Sequence, residues 1–512
     1  MTHFRKSFYL LAFAWLCLTA CGGKKTQTQE ETAPNNTENT ENGTETNTET
    51  TEQSTTKLSQ GCQLKKEFFD QAQVFEPLAK DMPENRNPSK VSLEMYAPTR
   101  LSQGSQGSCT SWACAYAGMT INRVRATKEN PDEIAFSPSF VYNQITQGDC
   151  DGTHIGKTLD KLVKEGNIPL SQFTYNDKDC SRQPDGNIKN MAKQFKMKGY
   201  NRLTLKDDDY RIDLEAIKQN ITQGAPVIVG MAVGGSFYRI GSEGVWRPTD
   251  KDFAALKRGT DGHIVDDGSE GSFGGHAMCV IGYDDNFEGG SFQIMNSWGS
   301  NWGKDGLFWM SYKNFEFFCN SFYAEAYGLY PMTEIKKEEN VFKADIGLFQ
   351  NQARQYIPFS MKKGLTFATS NTMPKGVKFK IAVRNYSECY VYVIGQETDG
   401  TSYVLFPYTP KHSPYCGIVG TRLFPKDYSL QLDDIGEKDV MAVIFSKEEL
   451  NYQEVVDKIS KSTAPSYEGK IRDVLGAKLV PNPTFKDGQT ISFSARNEGK
   501  TAVAIVFEMM KK

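Results

Sequence analysis

Between residues 110 and 312 the apolar pattern changes period once, from helical to strand-like, so a helical half is followed by a β half. Ala113, Ala117, Ile121 and Val124 recur at helical spacing, which predicts a buried helix over Thr110 to Val124. Ser137-Pro138 supplies a cap and a first-turn proline for a second helix over Phe140 to Ile145, and Ile155 to Lys164 predicts a third, stopped by Gly166. Another is expected around Asp213 to Asn220. Beyond it Pro226 to Val233, Ala277 to Tyr283, Ser291 to Asn296 and Leu307 to Tyr312 are short β-rich runs separated by glycine and aspartate turns. Segregation of this kind defines an α+β class.

From about Asn340 the pattern reads as wholly β. Val377, Phe379, Ile381 and Val383 alternate, Tyr390 to Ile394 and Ser402 to Phe406 flank Asp399-Gly400 as a hairpin, and Ile491 to Ala495 and Val503 to Met509 close the chain as strands. A separate β-sandwich-like module over 340–512 is expected, behind a folded domain over 91–335. Residues 61–90 are mixed in character and read either as an arm packed on that domain or as a short inhibitory pro-segment.

The chain opens with Arg5 and Lys6 before an apolar run from Phe8 to Leu18, too short to span a bilayer, so 1–20 reads as a secretion signal. Leu18-Thr19-Ala20-Cys21 resembles a bacterial lipobox, which makes Cys21 the lipidation site and the membrane a partner through a lipid anchor. Acyl chains bury about 0.8 kcal/mol per methylene, enough for several of them to hold a protein without a transmembrane helix. Residues 21–60 are rich in Thr, Glu and Asn with almost no large apolar side chain, the composition of a disordered tether. The expected location is the bacterial cell envelope, on the periplasmic face or the cell surface. With 59 basic and 62 acidic side chains and no long run of either sign, nucleic acid is not an expected partner.

The chemistry lies in three short elements. In Gln103-Gly104-Ser105-Gln106-Gly107-Ser108-Cys109-Thr110 the cysteine opens a helix, where unpaired amides and the helix dipole favour a thiolate. Its own N–H and the Gln103 carboxamide can donate to an oxyanion. In Gly274-Gly275-His276-Ala277 a histidine starts an alternating strand, and Asn296-Ser297-Trp298-Gly299 places a carboxamide at the end of the next one. An asparagine oxygen can accept the imidazole proton and select its tautomer, with Trp298 shielding that bond. A lone Gly-Ser-Cys is a glycine-rich turn around a buried thiol; Cys, His and Asn in this order are hard to assign to packing.

These elements, with Trp302-Gly303, resemble the three signatures of the papain family over about Val91 to Tyr330. The resemblance implies a two-lobed fold, helical on the left and β on the right, a cleft between the lobes, no cofactor, no metal, and peptide or protein substrates. It assigns catalysis to Gln103, Cys109, His276 and Asn296, and substrate contact to Gly107, Ser108, Gly152, Thr153, Gly275 and Trp298. In the family the loop holding Gly152 and Thr153 pairs its backbone with the substrate residue two before the scissile bond. The intervals from Cys109 to His276 and Asn296 exceed the roughly 130 to 150 residues usual in the family, and Gly234 to Gly274 is the insertion that takes up the excess. Its Phe237, Tyr238 and Trp246 are expected to border the cleft and restrict extended substrates.

The family's usual cysteine three residues before the nucleophile is replaced by Gln106, which frees Cys150. Cys150 and Cys180 bracket the helix ending at Gly166, and in an oxidising compartment they are expected to form a disulfide. Cys114 and Cys279 read as small core hydrophobes. His276 and Cys279 point to opposite faces of a strand and suit no metal; His154 and His263 read as solvated. The leading function is peptide hydrolysis through a Cys109 thioester, with a thiolate–imidazolium dyad expected. Its rivals are acyl transfer or deamidation on the same residues, and a non-catalytic envelope lipoprotein that binds through its β module. That module resembles an uncharacterised domain of envelope proteins and would take an envelope or protein ligand.

Overall fold

Over Cys109–Met119 the helix that begins at Cys109 is buried all round, the relation expected of a central helix. It runs to Thr127, and Trp112–Met119 is wound more widely, as a π-helix. Its small residues set the packing distance: a Cβ on Gly118 would lie 2.7 Å from Ile228 Cδ1, so larger side chains would push the helix off the sheet behind it. The computed structural model describes residues 58–256, 272–320, 323–332, 341–496 and 498–512. The expected signal, Cys21, most of the tether, His263 and part of the Gly234–Gly274 insertion lie outside the described residues. Among the described residues no helix is long and apolar enough to cross a membrane.

Helices Pro138–Thr146, Ile155–Glu165 and Leu214–Thr222 complete the α half. Ser137 Oγ accepts the Phe140 N–H, and Asp213 accepts from Glu215 and Ala216. Gly166 ends its helix at φ +82°, where an added Cβ would overlap the Ala192 carbonyl. A disulfide joins Cys150 to Cys180.

The β half is an eight-stranded sheet in the spatial order 200–202, 325–329, 227–233, 274–284, 291–295, 307–311 and 245–246, with 90–92 also pairing on 274–284. Strand Val227–Val233 is buried at every position, which is why it reads as an unbroken apolar run. The register sets Met231 opposite His276, Gly230 opposite Ala277 and, on the other neighbour, Gly230 opposite Glu325. The strand ending at Met295 lies beside 274–284 and delivers Asn296 toward the histidine.

Residues from Val341 onward form two seven-stranded sheets packed face to face. Ile346, Leu348 and Ile381 of one sheet share a core with Val393, Val443 and Ile505 of the other. The wholly β expectation is corrected by two helices, Tyr452–Lys461 and Tyr467–Leu475. Val456, Ile459, Ile471 and Leu475 cover the outer face of the second sheet at Tyr392, Ile444 and Val506. An antiparallel sheet apolar on both faces needs such a cover.

Residues 59–92 are an arm packed along the peptidase domain, and its middle part is held between the two domains. Val74 donates to Lys411 O and its carbonyl accepts from Ser413, while Phe75 donates to Arg202 O on the peptidase side. Leu78 exchanges two hydrogen bonds with the Gln219 carboxamide, and Asn85 does the same with the Thr421 backbone. The domains also meet directly, where Tyr330 stacks on Tyr415 at 4.1 Å.

Candidate active site

Cys109 is the first residue of its helix and is fully buried. Its Sγ accepts the Ala277 N–H at 3.4 Å, which ties the nucleophile helix to the strand that carries His276. His276 Nε2 lies 2.7 Å from Asn296 Oδ1. A carboxamide oxygen only accepts, so Nε2 carries the proton and Nδ1 keeps its lone pair. Among the described residues Nδ1 is buried without a hydrogen-bond partner, as a waiting base would be. Asn296 Oδ1 also accepts the Ser297 N–H at 2.8 Å, and the Trp298 ring covers the imidazole at 4.8 Å.

Gln103 is fixed from the same segment. Its N–H donates to Ser297 O, and its Oε1 accepts from Ser297 Oγ at 2.6 Å, so Nε2 faces the cleft. That nitrogen donates to Gln106 O at 2.9 Å and to Gln60 O at 3.3 Å.

The second contact shows what occupies the cleft. Residues 59–63 of the arm lie along it as a bound peptide would. Trp298 Nε1 donates to Ser59 O, and the Gly61 and Cys62 N–H groups both donate to Gly275 O. Thr153 donates to Gly61 O at 2.8 Å and accepts from Gln63 N–H at 2.9 Å, while Gln63 Nε2 donates to Gly152 O. The glycines make room for this backbone: a Cβ on Gly152 would meet Gly61 O at 2.5 Å, and one on Gly275 would overlap the Cys62 carbonyl. Of the expected substrate-contact residues, Gly107, Gly152, Thr153, Gly275 and Trp298 border the arm. The Ser108 side chain is engaged elsewhere. Its hydroxyl is held by Tyr175 Oη at 2.6 Å, and Tyr175 in turn donates to Gln103 O, so Ser108 braces the loop that carries Gln103.

Burial decides the charge state under the arm. It pushes the Cys109 thiol up to about 12 against the backbone N–H groups of Ala277, Thr110 and Cys109, which pull the other way. It pushes His276 down to about 4, opposed by the Asn296 hydrogen bond. The expected thiolate–imidazolium pair is therefore corrected for this covered state. In so buried a setting a neutral thiol and a neutral imidazole are the cheaper pair.

The insertion supplies a backing to the site. Phe237 is fully buried among Trp246, Trp298, Trp302 and Phe308, so Phe237 and Trp246 are core residues and do not project as a gate. Tyr238 stacks on Trp298 at 5.6 Å. His154 is also corrected: it is buried, with Nδ1 2.8 Å from Gln63 O and its ring against Phe68. Among the described residues no group of three or more His, Cys, Asp or Glu side chains could hold a metal ion. Gln60, Gly61, Cys62, Gly230 and Glu325 were not anticipated at the site; the isolated Gly61-Cys62 after a polar tract was their one signal.

A thiol opening a buried helix, an imidazole oriented by a carboxamide on a neighbouring strand, and a cleft between a helical and a β half define a papain-like cysteine peptidase fold. Residues 98–325 match the papain family cysteine protease, and over this stretch the chain is a papain-like, cysteine-type peptidase domain. The chain is similar to the uncharacterized peptidase C1-like protein L477 of Acanthamoeba polyphaga mimivirus, 28% identical over 232 residues, 44% of this chain and 68% of that protein. It is 26% identical over 216 residues to cathepsin B-like CP2 of Giardia intestinalis, spanning 42% of this chain and 64% of that protein. Among solved structures, xylellain, a cysteine protease from Xylella fastidiosa, is 22% identical and aligns with 54% of this chain and 92% of its own, with a TM-score of 0.38.

Proposed function

We propose that the protein is a lipid-anchored envelope peptidase that is made latent, with its own arm in the cleft, and that hydrolyses peptide bonds once the arm leaves. The observation that carries this reading is the Gln60 carbonyl held by Gln103 Nε2 while the following residues pair with Gly275 and Thr153. A groove that binds main chain on both sides and aims a carboxamide donor at one carbonyl is built for peptides.

With the cleft open, His276 Nδ1 takes the Cys109 proton and the thiolate attacks the scissile carbonyl. Gln103 Nε2–H and the Cys109 N–H hold the oxyanion. The imidazolium then gives its proton to the leaving amine as the C–N bond breaks, leaving a thioester. Water, deprotonated by His276, attacks the thioester; the carboxylic acid departs and the thiol is restored. Acyl transfer would differ only in the second acceptor, and a tautomer-locked Nδ1 without a partner among the described residues is the feature a non-catalytic binding protein has no use for.

The anchor reading rests on the lipobox-like Leu18-Thr19-Ala20-Cys21 and the polar tract behind it. Hydrolysis of a denatured protein by Gly61→Ala, absent from Gly61→Ala/Cys109→Ala, tests the enzyme. Labelled palmitate that enters wild type but not Cys21→Ala tests the anchor. No turnover by Gly61→Ala despite a titratable Cys109 thiol would reject the peptidase reading.

A further inference from the structure

Gln103 Nε2 and the Cys109 N–H are the two donors that meet an oxyanion, and they stand at opposite ends of one turn, residues 103–109. The donors converge only if the ends of that turn are held at the right separation. One end goes with the β half, because Gln103 N–H donates to Ser297 O and Gln103 Oε1 accepts from Ser297 Oγ. The other end goes with the helical half, because Ser108 leads directly into the helix that begins at Cys109.

Tyr175 bridges those ends. Its hydroxyl donates to Gln103 O at 2.8 Å. A phenol has a single proton to give, so the 2.6 Å contact with Ser108 runs the other way, from Ser108 Oγ–H to Tyr175 Oη. Gln103 and Ser108 are both buried, where a lost hydrogen bond is not readily replaced by water. The middle of the turn leans on the same segment. Asp177 accepts the Ser105 N–H at 3.1 Å, Gln106 Nε2 donates to Asn176 O at 3.3 Å, and a Cβ on Gly104 would overlap the Asp177 carboxylate. The segment is anchored in turn: the Tyr175 ring meets Trp112 edge-on at 4.9 Å, and Cys180, a short way past Asp177, is bonded to Cys150.

On the peptidase reading, we propose that Tyr175 is a positioning residue of the oxyanion hole, whose hydroxyl fixes the separation of Gln103 and Ser108 so that the Gln103 carboxamide and the Cys109 N–H converge on one oxygen. It touches neither substrate nor thiol. Its effect is on the spacing of two donors that do, and a misplacement of about 1 Å at such groups costs on the order of a hundredfold in rate. Spacing matters only while both donors are present, which separates this role from general support of the fold.

The experiment uses the full chain carrying Gly61→Ala and a fluorogenic peptide that this protein cleaves. Tyr175→Phe keeps the ring on Trp112 and removes only the hydroxyl. It should lower kcat about tenfold and leave KM and the pH dependence of Cys109 alkylation by iodoacetamide unchanged, because neither ground-state binding nor the dyad passes through the hydroxyl. Gln103→Ala removes one donor and should itself cost about a hundredfold or more. With one donor left there is no convergence to maintain, so adding Tyr175→Phe to Gln103→Ala should cost less than about twofold further. Ser108→Ala cuts the other half of the bridge, should repeat the pattern at smaller size, and serves as the test should Tyr175→Phe not fold. An unchanged kcat, a change in KM alone, a shifted alkylation profile, or equal losses with and without the Gln103 carboxamide would overturn the proposal and leave the peptidase reading standing. No peptide cleaved by Gly61→Ala while iodoacetamide labels its Cys109 would remove the peptidase reading and this one with it.

Discussion

Gln60 places its main-chain carbonyl 3.3 Å from Gln103 Nε2, the donor aimed at the oxyanion of the reaction. The protein's own chain thus occupies the position a scissile carbonyl would take. Its direction is reversed: Ser59 meets Trp298 and the later residues 61–63 meet Thr153, the side where the residues before a scissile bond would bind. A reversed backbone can satisfy the groove's hydrogen bonds without presenting its carbonyl in the attack geometry, which lets the arm sit uncut.

Gly61 is the weak point of this arrangement. It has φ +134°, and an added Cβ would overlap the Gly107 carbonyl oxygen. Gly61→Ala should therefore unseat the arm and raise the rate of Cys109 alkylation by about tenfold or more, since strain of about 1 to 3 kcal/mol is expected at such a position. Iodoacetamide kinetics on both full-length proteins check this; unchanged rates would show that the arm does not shield the thiol.

Asn296 accepts from both His276 Nε2 and the Ser297 N–H, so it fixes the imidazole and the loop that holds Gln103. In the Gly61→Ala protein, Asn296→Ala should lower kcat by about a hundredfold, the size of effect that misplacement of a reacting group produces. It should lower it less than Cys109→Ala does. Equal loss in the two variants would mean that Asn296 does more than orient.

Cys150 and Cys180 close a loop across a sequence separation of 30 residues, and Cys150 is followed directly by the Asp151–Thr153 segment that lines the cleft. Cys180→Ser should cost about 3 to 4 kcal/mol on the chain-entropy estimate. Non-reducing peptide mapping should recover the two joined, and thermal unfolding should come at lower temperature in the variant. Free alkylation of both in native, unreduced protein would exclude the bridge.

Phe237 fills the space behind Trp298, which in turn covers His276. Phe237→Ala should cost about 3 to 5 kcal/mol as a large-to-small core change, and activity should fall with stability. Tyr238→Ala, on a half-buried residue, should spare the fold. A Phe237→Ala protein as stable as wild type would return this residue to the role of a surface gate.

The convergence of Cys109, His276 and Asn296 is legible because each carries a local signature: a helix start for Cys109, a strand start after two glycines for His276, a strand end for Asn296. The arm was not, because Ser59-Gln60-Gly61-Cys62 has no periodicity and its partners, Thr153 and Gly275, lie far along the chain. For the same reason His154 reads as solvated in sequence, whereas Gln63 and Phe68 bury it from far along the chain. The helices Tyr452–Lys461 and Tyr467–Leu475 are short, and Val456, Ile459 and Ile471 have a reason to be helical only once a sheet face lies beneath them. Phe237 and Trp246 read as gate residues in sequence and are buried in the fold, since apolar content alone does not tell a wall from a gate.

The charge state of the dyad should depend on the arm. Covered, the thiol is held up at about 12 and the imidazole down at about 4, so wild-type Cys109 should alkylate slowly throughout pH 5 to 9. Opening admits water, removes most of the burial penalty, and leaves the helix start and the facing imidazole to stabilise the thiolate. The signs then reverse: each charge favours the other, the thiol falls below its free value of about 8.5, and the histidine rises above about 6.5. Gly61→Ala should accordingly alkylate already at mildly acidic pH, with limbs that belong to the coupled pair and not to either residue. Adding His276→Ala removes the imidazolium and should move the rise in rate back toward about pH 8.5, where an ordinary thiol ionises. The measurement is alkylation rate against pH for wild type, Gly61→Ala and Gly61→Ala/His276→Ala. Superimposed curves for the two opened proteins, both rising only near pH 8 to 9 as a free thiol would, would sink the assignment of His276 as the base and the peptidase mechanism with it.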